Sequence, residues 1–477
     1  MKELAILAIN IAKQKRATYA DVRIVEDTYE NITLKNDKIQ YEKSTSLGIG
    51  IRVIVNGAWG FASTNDLKRK SIESTVALAI DTAKSSSITK KRDVTLAENP
   101  VYKDVWKTPI IKDPFSVSIS EKLALLSKIN KNLRKVKGVT IATSSMSFRK
   151  KYQIFVNSQG SEIEQTIIRS GAGYSATATK NGEIQIRSYP QSFGGQFMTK
   201  GYELIESLNL IENTQRIAEE AVALLSAKKC PQGKKDIIIG SSQLALQIHE
   251  SCGHPAELDR VFGDEASFAG TSFLTPDKLG KFKYGSSLVS IVADTISEGG
   301  LGTFGYDDEG VKAQKWYIVK DGIFVGYLTS RETAKMINSL SNGCMRAQSW
   351  KFIPLIRMVN ISLVPGKGKL QELINDTKDG IYLEGTRSWS IDQKRLNFHF
   401  AGEIAWEIKN GKITQILKNP TYQGITYEFW NSCDAICGEE EWTLWGIPSC
   451  GKGEPVQIAE VSHGASPARF RKCNIGV

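Results

Sequence analysis

Residues 140–189 read TIATSSMSFRKKYQIFVNSQGSEIEQTIIRSGAGYSATATKNGEIQIRSY, and polar and apolar side chains alternate over most of that length. A two-residue period puts one apolar row on one face of an extended strand, whereas a helix would scatter the same residues around its circumference. The run is broken at Asn157-Ser158-Gln159-Gly160 and at Lys180-Asn181-Gly182, residue types that reverse a chain. Strands joined by such tight turns form an antiparallel meander. This excludes an all-helical fold and an all-parallel sheet for this part of the chain.

The flanking segments extend the pattern. ADVRIVED alternates, and ENITLKNDKIQYEK places Asn36-Asp37 between two strands. GIGIRVIVNGAWGFAS reads as a further hairpin about Asn56-Gly57. Leu4, Leu7, Ala8 and Ile11 share one face of an N-terminal amphipathic helix. A second helix is expected over residues 66–86, capped by Asp66 or Asn65, and a third over 119–133. Ser118, with Glu121 three residues on, fits a capping box for the third, and Ser120 is the alternative. A long helix is expected over 201–227. The composition shift in KKCPQGKK then marks a boundary at 228–234. Beyond it, Ile237-Ile238-Ile239 is a short apolar strand, and Gly240-Ser241-Ser242 turns the chain into the helix LALQIHESCGH. Asp321-Gly322, Asn410-Gly411 within EIAWEIKNGKITQIL, and Lys378-Asp379-Gly380 read as hairpin turns. The expected architecture is α+β: two domains, 1–228 and 229–477, built on largely antiparallel sheets with packed helices.

Composition removes several function classes. The seven cysteines are odd in number and dispersed through 477 residues, unlike a secreted disulfide framework. No apolar run approaches the roughly 20 residues that span a bilayer. The N-terminal apolar stretch is short and followed by basic residues, so it reads as a docked helix and not a signal peptide. A soluble, cytoplasmic protein without a membrane partner is the expectation. The net charge of +11 is spread along the chain without a basic block interleaved with aromatics, so stable nucleic-acid binding is not expected.

Chemistry concentrates in HESCGH. The chain has four histidines, His249, His254, His399 and His463, and two of them stand five apart with Glu250 beside the first. The zincin pattern HExxH puts two imidazoles one turn apart on one helix face. Five residues advance a regular helix by roughly 140° past a turn, so the rings would diverge. A wide turn of the π type would bring them together. Alternatively, Gly253 and Pro255 end the helix and the second ligand comes from the turn. The simplest non-functional reading is two histidines at a helix C-terminus, where imidazolium is favourable. Two imidazoles need a third ligand, and Cys450 in the turn-rich GIPSCGKGEP is the best candidate. Two imidazoles and a thiolate suit zinc with an open position for water, from which Glu250 would take a proton and pass it to a leaving amine. Cys433 and Cys437 in CDAIC form only a single pair, beside three glutamates of a surface-like segment. His463 could be a ligand or could position substrate. Cys252 reads as a core thiol, and Asp307 and Asp308 in YDDEG as turn or calcium-like residues outside the zinc site. Arg346 and Arg357 are candidates for substrate or structural ion pairs.

Several separated motifs, in order, resemble the TldD/PmbA family of metallopeptidases, once described as modulators of DNA gyrase. They are ATYADVRIVED, GIGIRVIVNGAWGFAS, HESCGHPAELD, FGYDDEG, RAQSW followed by PLIRMVNISLVPG, CGKG, and VSHGASPARFR. The resemblance implies that His249, His254 and Cys450 are metal ligands and Glu250 the catalytic base. It further implies one zinc per active chain and cleavage of short or unfolded peptides. The active type of subunit is commonly paired with a related subunit lacking the ligands, so a homodimer or such a heterodimer is expected. The VSHGASPARFR ending marks a variant of the family. A non-catalytic peptide- or partner-binding subunit of a protease complex is the alternative reading, and it implies binding without metal-dependent cleavage.

Overall fold

The computed structural model describes residues 1–476. The alternating segments form one eight-stranded sheet in the N-terminal half. Its path runs Ala58–Thr64, Lys38–Val55, Tyr19–Lys35, Val139–Asn157, Glu162–Lys180 and Lys103–Lys107. Only Lys103–Lys107 joins in parallel. The turns fall where the residue types place them. Asn36 (φ 50°), Asn56 (φ 51°) and Asn181 (φ 50°) take the left-handed conformation that tight hairpins require. Lys2–Gln14 and Arg69–Thr89 bury Ala8, Val76, Ala79 and Ile80 against Val22, Ile51 and Val53 of the sheet. Ile119–Lys135 and Thr214–Ser226 pack with another part of the sheet around Phe148, Ala172 and Ala176. Ser118 caps the first of these, its hydroxyl accepting from the Glu121 amide at 3.2 Å.

Two helical expectations are corrected. The second helix begins at Arg69, with Lys68 at the cap. Asp66 instead organises the turn before it, accepting from the Lys68 amide and the Ser71 hydroxyl. The helix expected over 201–227 is two, Glu203–Ser207 and Thr214–Ser226, because Asn209 stands at φ 48° between them and cannot continue the first.

The sheets of the C-terminal half are also largely antiparallel, and the chain as a whole is α+β. One eight-stranded sheet contains Asp379–Ile391, Gly233–Ile239, Ala468–Ile475, Thr421–Ile425 and Asn397–Lys409 in that order, and pairing of the last with the first closes the ring. A six-stranded sheet ends in Asn360–Leu363, Gln457–Ala465 and Thr443–Lys452. The hairpins at Asp321-Gly322 and Asn410-Gly411 form as expected. Lys378-Asp379-Gly380 is not a hairpin turn. It connects the helix Leu370–Asn375 to a strand parallel to Gly233–Ile239, with Gly380 opposite Asp236. A turn composition there serves a helix exit.

The helix Ser241–Ile248 contacts both the Asp379–Ile391 strand and the Gln457–Ala465 strand, so it lies against both sheets. Its residues from Gln243 to Ile248 are all buried, which explains its lack of a polar face. The halves meet through charge. Arg52 bonds Asp21 at 2.7 Å and Glu309 at 3.1 Å, and Arg23 bonds Asp308 at 3.3 Å. The YDDEG segment is therefore buried between the halves. Asp307 does organise its turn, accepting from the amides of Glu309, Val311 and Met345, while Asp308 and Glu309 receive arginines from the N-terminal sheet. Among the described residues no helix is long and apolar enough to cross a membrane.

Candidate metal centre

The helix that starts at Ser241 changes pitch where the motif begins. His249–Gly253 is a π turn, and the His254 amide donates to the His249 carbonyl, five residues back. The wider turn brings two imidazoles five apart to one side, with ring centroids 4.9 Å apart. His254–Ala256 then tightens into a 3₁₀ turn with Pro255 in its first positions. Both sequence alternatives are thus partly realised: the turn widens and the helix ends directly after it. Gly253 fits because a Cβ there would stand 2.1 Å from the Met358 sulfur. Behind the turn, the Tyr284 hydroxyl donates to the Ser251 carbonyl at 2.5 Å, and the Trp430 indole donates to the Ser251 hydroxyl at 2.9 Å. Cys252 is fully buried beside Tyr284, and burial pushes its thiol up to about 12, so it is the core thiol expected.

Cys450 reaches the same place from the strand Thr443–Lys452. Donor atoms of His249, His254 and Cys450 all lie within 4.8 Å of one another, and all three residues are buried. Cys450 Sγ is 3.8 Å from His254 Nε2. Tetrahedral zinc with Zn–N near 2.0 Å and Zn–S near 2.3 Å would separate such a pair by about 3.6 Å. The His254–Cys450 separation is close to that value, and the three donors are near enough to one another to share a single ion. His399 is not among the three, and neither Cys433 nor Cys437 joins any such cluster among the described residues.

The protonation states suit ligation. Burial lowers both His249 and His254 below the ordinary imidazole range, so both are neutral donors near neutral pH. Burial raises the Cys450 thiol; a protonated His254 ring and the Arg357 guanidinium would lower it, and of these only Arg357 acts while His254 is neutral. Hydrogen bonds also choose the tautomers. His463 Nδ1 lies 3.1 Å from the Ile361 carbonyl, which can only accept, so that nitrogen carries the proton. His463 Nε2 must then accept, and it lies 2.7 Å from His249 Nδ1. His249 is left with a bare Nε2. His254 Nδ1 likewise donates to Glu257 at 2.9 Å, leaving Nε2 bare toward Cys450. Such outer partners fix ring orientation and ligand basicity. Of the two roles considered for His463, neither is what the geometry presents: it holds a candidate ligand.

Glu257 is itself enclosed. Burial opposes its charge, but Lys452, His254 and Arg260 hold its carboxyl well below the usual range. Lys452 Nζ is 3.3 Å from Glu257 and 2.8 Å from Asp259, so the Cys-Gly-Lys segment and the histidine turn share one buried ion cluster. Arg357 forms no ion pair among the described residues. It donates to the Cys450 carbonyl and, at 2.9 Å, to the Gln457 carbonyl, bracing the strand that carries the thiol. Arg346 has no carboxylate within 4 Å either, and donates to the Met358 carbonyl.

Glu250 is buried on the π turn, and its Oε2 accepts from Arg395 at 2.8 Å. Arg395 stands at φ 61° on the tip between the strands Asp379–Ile391 and Asn397–Lys409, and the tip is held by Thr271 and Phe273 amides donating to Gln393 and Lys394 carbonyls. Its Nε is buried without a partner. Arg395, Glu257, Lys452 and Tyr284 were not singled out in the sequence. Lys452 and Glu257 lie inside the CGKG and HPAELD motifs, where a charged residue beside a ligand was the available signal; Arg395 and Tyr284 carry none.

The chain is similar to known proteins over nearly its whole length. Residues 232–476 match the model of the PmbA/TldA metallopeptidase C-terminal domain, 20–83 that of domain 1, and 112–229 that of the central domain. A metalloprotease of Methanocaldococcus jannaschii is 33% identical over 93% of this chain and 94% of its own length. A zinc metalloprotease TldD homolog of Saccharolobus solfataricus is 24% identical over 98% of each. The fold superimposes on a Thermotoga maritima protein described as a modulator of a DNA gyrase, with TM-score 0.78, 18% identity and 99% coverage of both chains. It also superimposes on TldE from Thermococcus kodakarensis, with TM-score 0.77, 16% identity, and coverage of 99% of this chain and 100% of that one. The three matched segments and the full-length archaeal relative make the chain a member of the TldD/PmbA metallopeptidase family.

Proposed function

We propose that the chain is a zinc-dependent peptidase that hydrolyses short or unfolded peptides, with His249, His254 and Cys450 as metal ligands and Glu250 as the general base. The observation that carries this is the convergence of two buried imidazoles and one buried thiol within 4.8 Å, one residue away from a buried carboxylate. A thiolate with two imidazoles favours zinc over the harder divalent ions. When bound, the metal supplies Lewis acidity at an open position. The chain's own residues do the rest. Glu250 Oε2 is held by Arg395, so Oε1 is the oxygen that accepts a proton from the attacking water and returns it to the leaving amine nitrogen.

The reading includes a division into an N-terminal domain, 1–228, and a C-terminal catalytic domain, 229–477. It includes a dimer, with itself or with a ligand-free relative, in the cytoplasm. Enclosure between subunits would restrict a peptidase to chains that thread inside. The deciding experiment compares Glu250→Gln with His249→Ala. Glu250→Gln should keep about one zinc per chain and lose peptide hydrolysis by roughly 10²-fold or more. His249→Ala should lose both. Undiminished turnover by Glu250→Gln, or no transition metal in reconstituted wild type, defeats the proposal.

A further inference from the structure

A second polar cavity, of about 40 Å³, lies between the N-terminal sheet and the C-terminal half. Room of that size holds two or three waters, or one compact oxyanion. Its lining reaches the strand pair that carries the thiol: both Glu460 and Ala459, the register partner of Cys450, border it, whereas Cys450 and the two histidines do not. Four cations reach it: Arg149, Lys151 and Arg169 from the N-terminal sheet, and Arg346 from the C-terminal half.

The carboxylates around it are already engaged. Asp308 accepts from Arg23, Gln153 and the Ala347 amide. Glu460 is taken by Arg149, and Asp307 by three backbone amides. What remains is positive. Among the described residues the Lys151 ammonium has no hydrogen bond and no carboxylate within 4 Å, and neither does the Arg346 guanidinium beyond its single bond to the Met358 carbonyl. Arg169 is 7% exposed, lies 3.7 Å from Glu460, and its Nε is buried without a partner. Arg169 is buried while Lys151 and Arg346 are half-buried; crowding like charges in such a place is costly, and a bound anion lowers the cost. We infer that this cavity is an anion-binding site that takes one compact oxyanion, a carboxylate or phosphate group, between Lys151, Arg169 and Arg346. The electrostatics agree in direction: burial pulls Lys151 down to about 8 and Arg346 down to about 9, neighbouring arginines add to the fall, and Asp308 and Glu460 oppose it only in part. Guanidinium groups bind such oxyanions through paired N–H donors.

The test uses the full-length protein loaded with metal and inorganic phosphate as probe, by calorimetry and thermal shift, against chloride at equal ionic strength. Wild type should bind phosphate saturably, and Lys151→Met and Arg346→Met should each weaken binding about tenfold or more. Lys151→Met breaks no hydrogen bond, so its fold is secure even if Arg346→Met loosens the Met358 segment. Competition then identifies the source. Displacement of phosphate by the free-acid form of an unstructured peptide, and not by its C-terminal amide, assigns a peptide terminus; displacement by neither assigns a free anion. Either outcome supports the site. No saturable binding beyond the chloride control, or wild-type binding by both variants, overturns it.

Discussion

His463→Leu tests the hydrogen-bond chain that chooses the tautomer of His249. The chain is directional: the Ile361 carbonyl accepts from His463 Nδ1–H at 3.1 Å, and His463 Nε2 accepts from His249 Nδ1–H at 2.7 Å. Leucine fills similar space but supplies neither bond. His249 Nδ1–H then stays buried without an acceptor, and the ring gains freedom to rotate or to carry its proton on Nε2, the nitrogen that should face the metal. Loss of an outer partner of a ligating histidine costs about 10- to 100-fold in metal affinity, or about 1.4–2.7 kcal/mol. A second cost falls on the metal-free protein, since an orphaned buried donor destabilises by about 1–3 kcal/mol. Zinc competition against a chromophoric chelator reads the first quantity, and denaturant unfolding of the metal-free protein reads the second. His463→Leu with wild-type zinc affinity would refute the reasoning, since it would mean that the ring of His249 needs no holder. Should affinity fall while hydrolysis per bound zinc stays constant, His463 acts on binding alone, as the geometry requires.

Cys450→Ser and His254→Ala should lose most bound metal and remain folded, checked by elemental analysis with circular dichroism. Arg395→Met should keep zinc and lower kcat more than it raises KM in peptide assays, because it removes the holder of Glu250 and not a ligand. Gly253→Ala should destabilise by about 1–3 kcal/mol in denaturant unfolding, since the new methyl would meet Met358 Sδ inside a packed core. Glu460, paired with Arg149, is held far below an ordinary carboxylate against its burial. Its stabilisation is therefore complete above the unfolded value of about 4.3 and is lost as pH falls below it. Glu460→Gln should flatten the acid limb of a stability-against-pH curve, and an unchanged limb would count against this pairing.

The strands were legible because alternation and asparagine–glycine turns are local signals, and Asn56-Gly57 or Asn181-Gly182 needs no distant residue to form. The break between Glu203–Ser207 and Thr214–Ser226 was obscured because LNLIEN still carries apolar residues at helical spacing, while one asparagine takes φ 48°. Lys378-Asp379-Gly380 has turn composition, yet its strand pairs with a segment more than a hundred residues earlier, and sequence offers no cue to that partner. In the candidate site, the grouping of His249, His254 and Cys450 was readable from the scarcity of histidine and the family motifs. Arg395 was not, because an arginine in a polar hairpin tip looks like any solvated cation until the fold brings it against Glu250.

The five-residue histidine spacing has a structural consequence that a four-residue one would lack. The helix ends directly after the π turn, so the Ser251 carbonyl in its last turn has no partner further along the helix and is satisfied by the Tyr284 hydroxyl instead. The same turn makes Gly253 approach Met358 and carries Pro255 into the next position, so the helix cannot continue. The wide turn, the exit after it and the close packing of Asn360–Leu363 are one arrangement, and the segment around that strand supplies the Ile361 carbonyl that orients His463. Ligand geometry is thus set by backbone packing and buried hydrogen bonds that exist without an ion. Metal binding to such a scaffold adds stability in proportion to affinity, through RT ln(1 + [L]/Kd), and does not create the fold. Chelation of the purified protein should therefore lower its melting temperature while leaving its circular dichroism at room temperature unchanged. Unfolding on chelation at room temperature would show that the hydrogen-bond chain through His463 and Glu257 is too weak to preorganise the site.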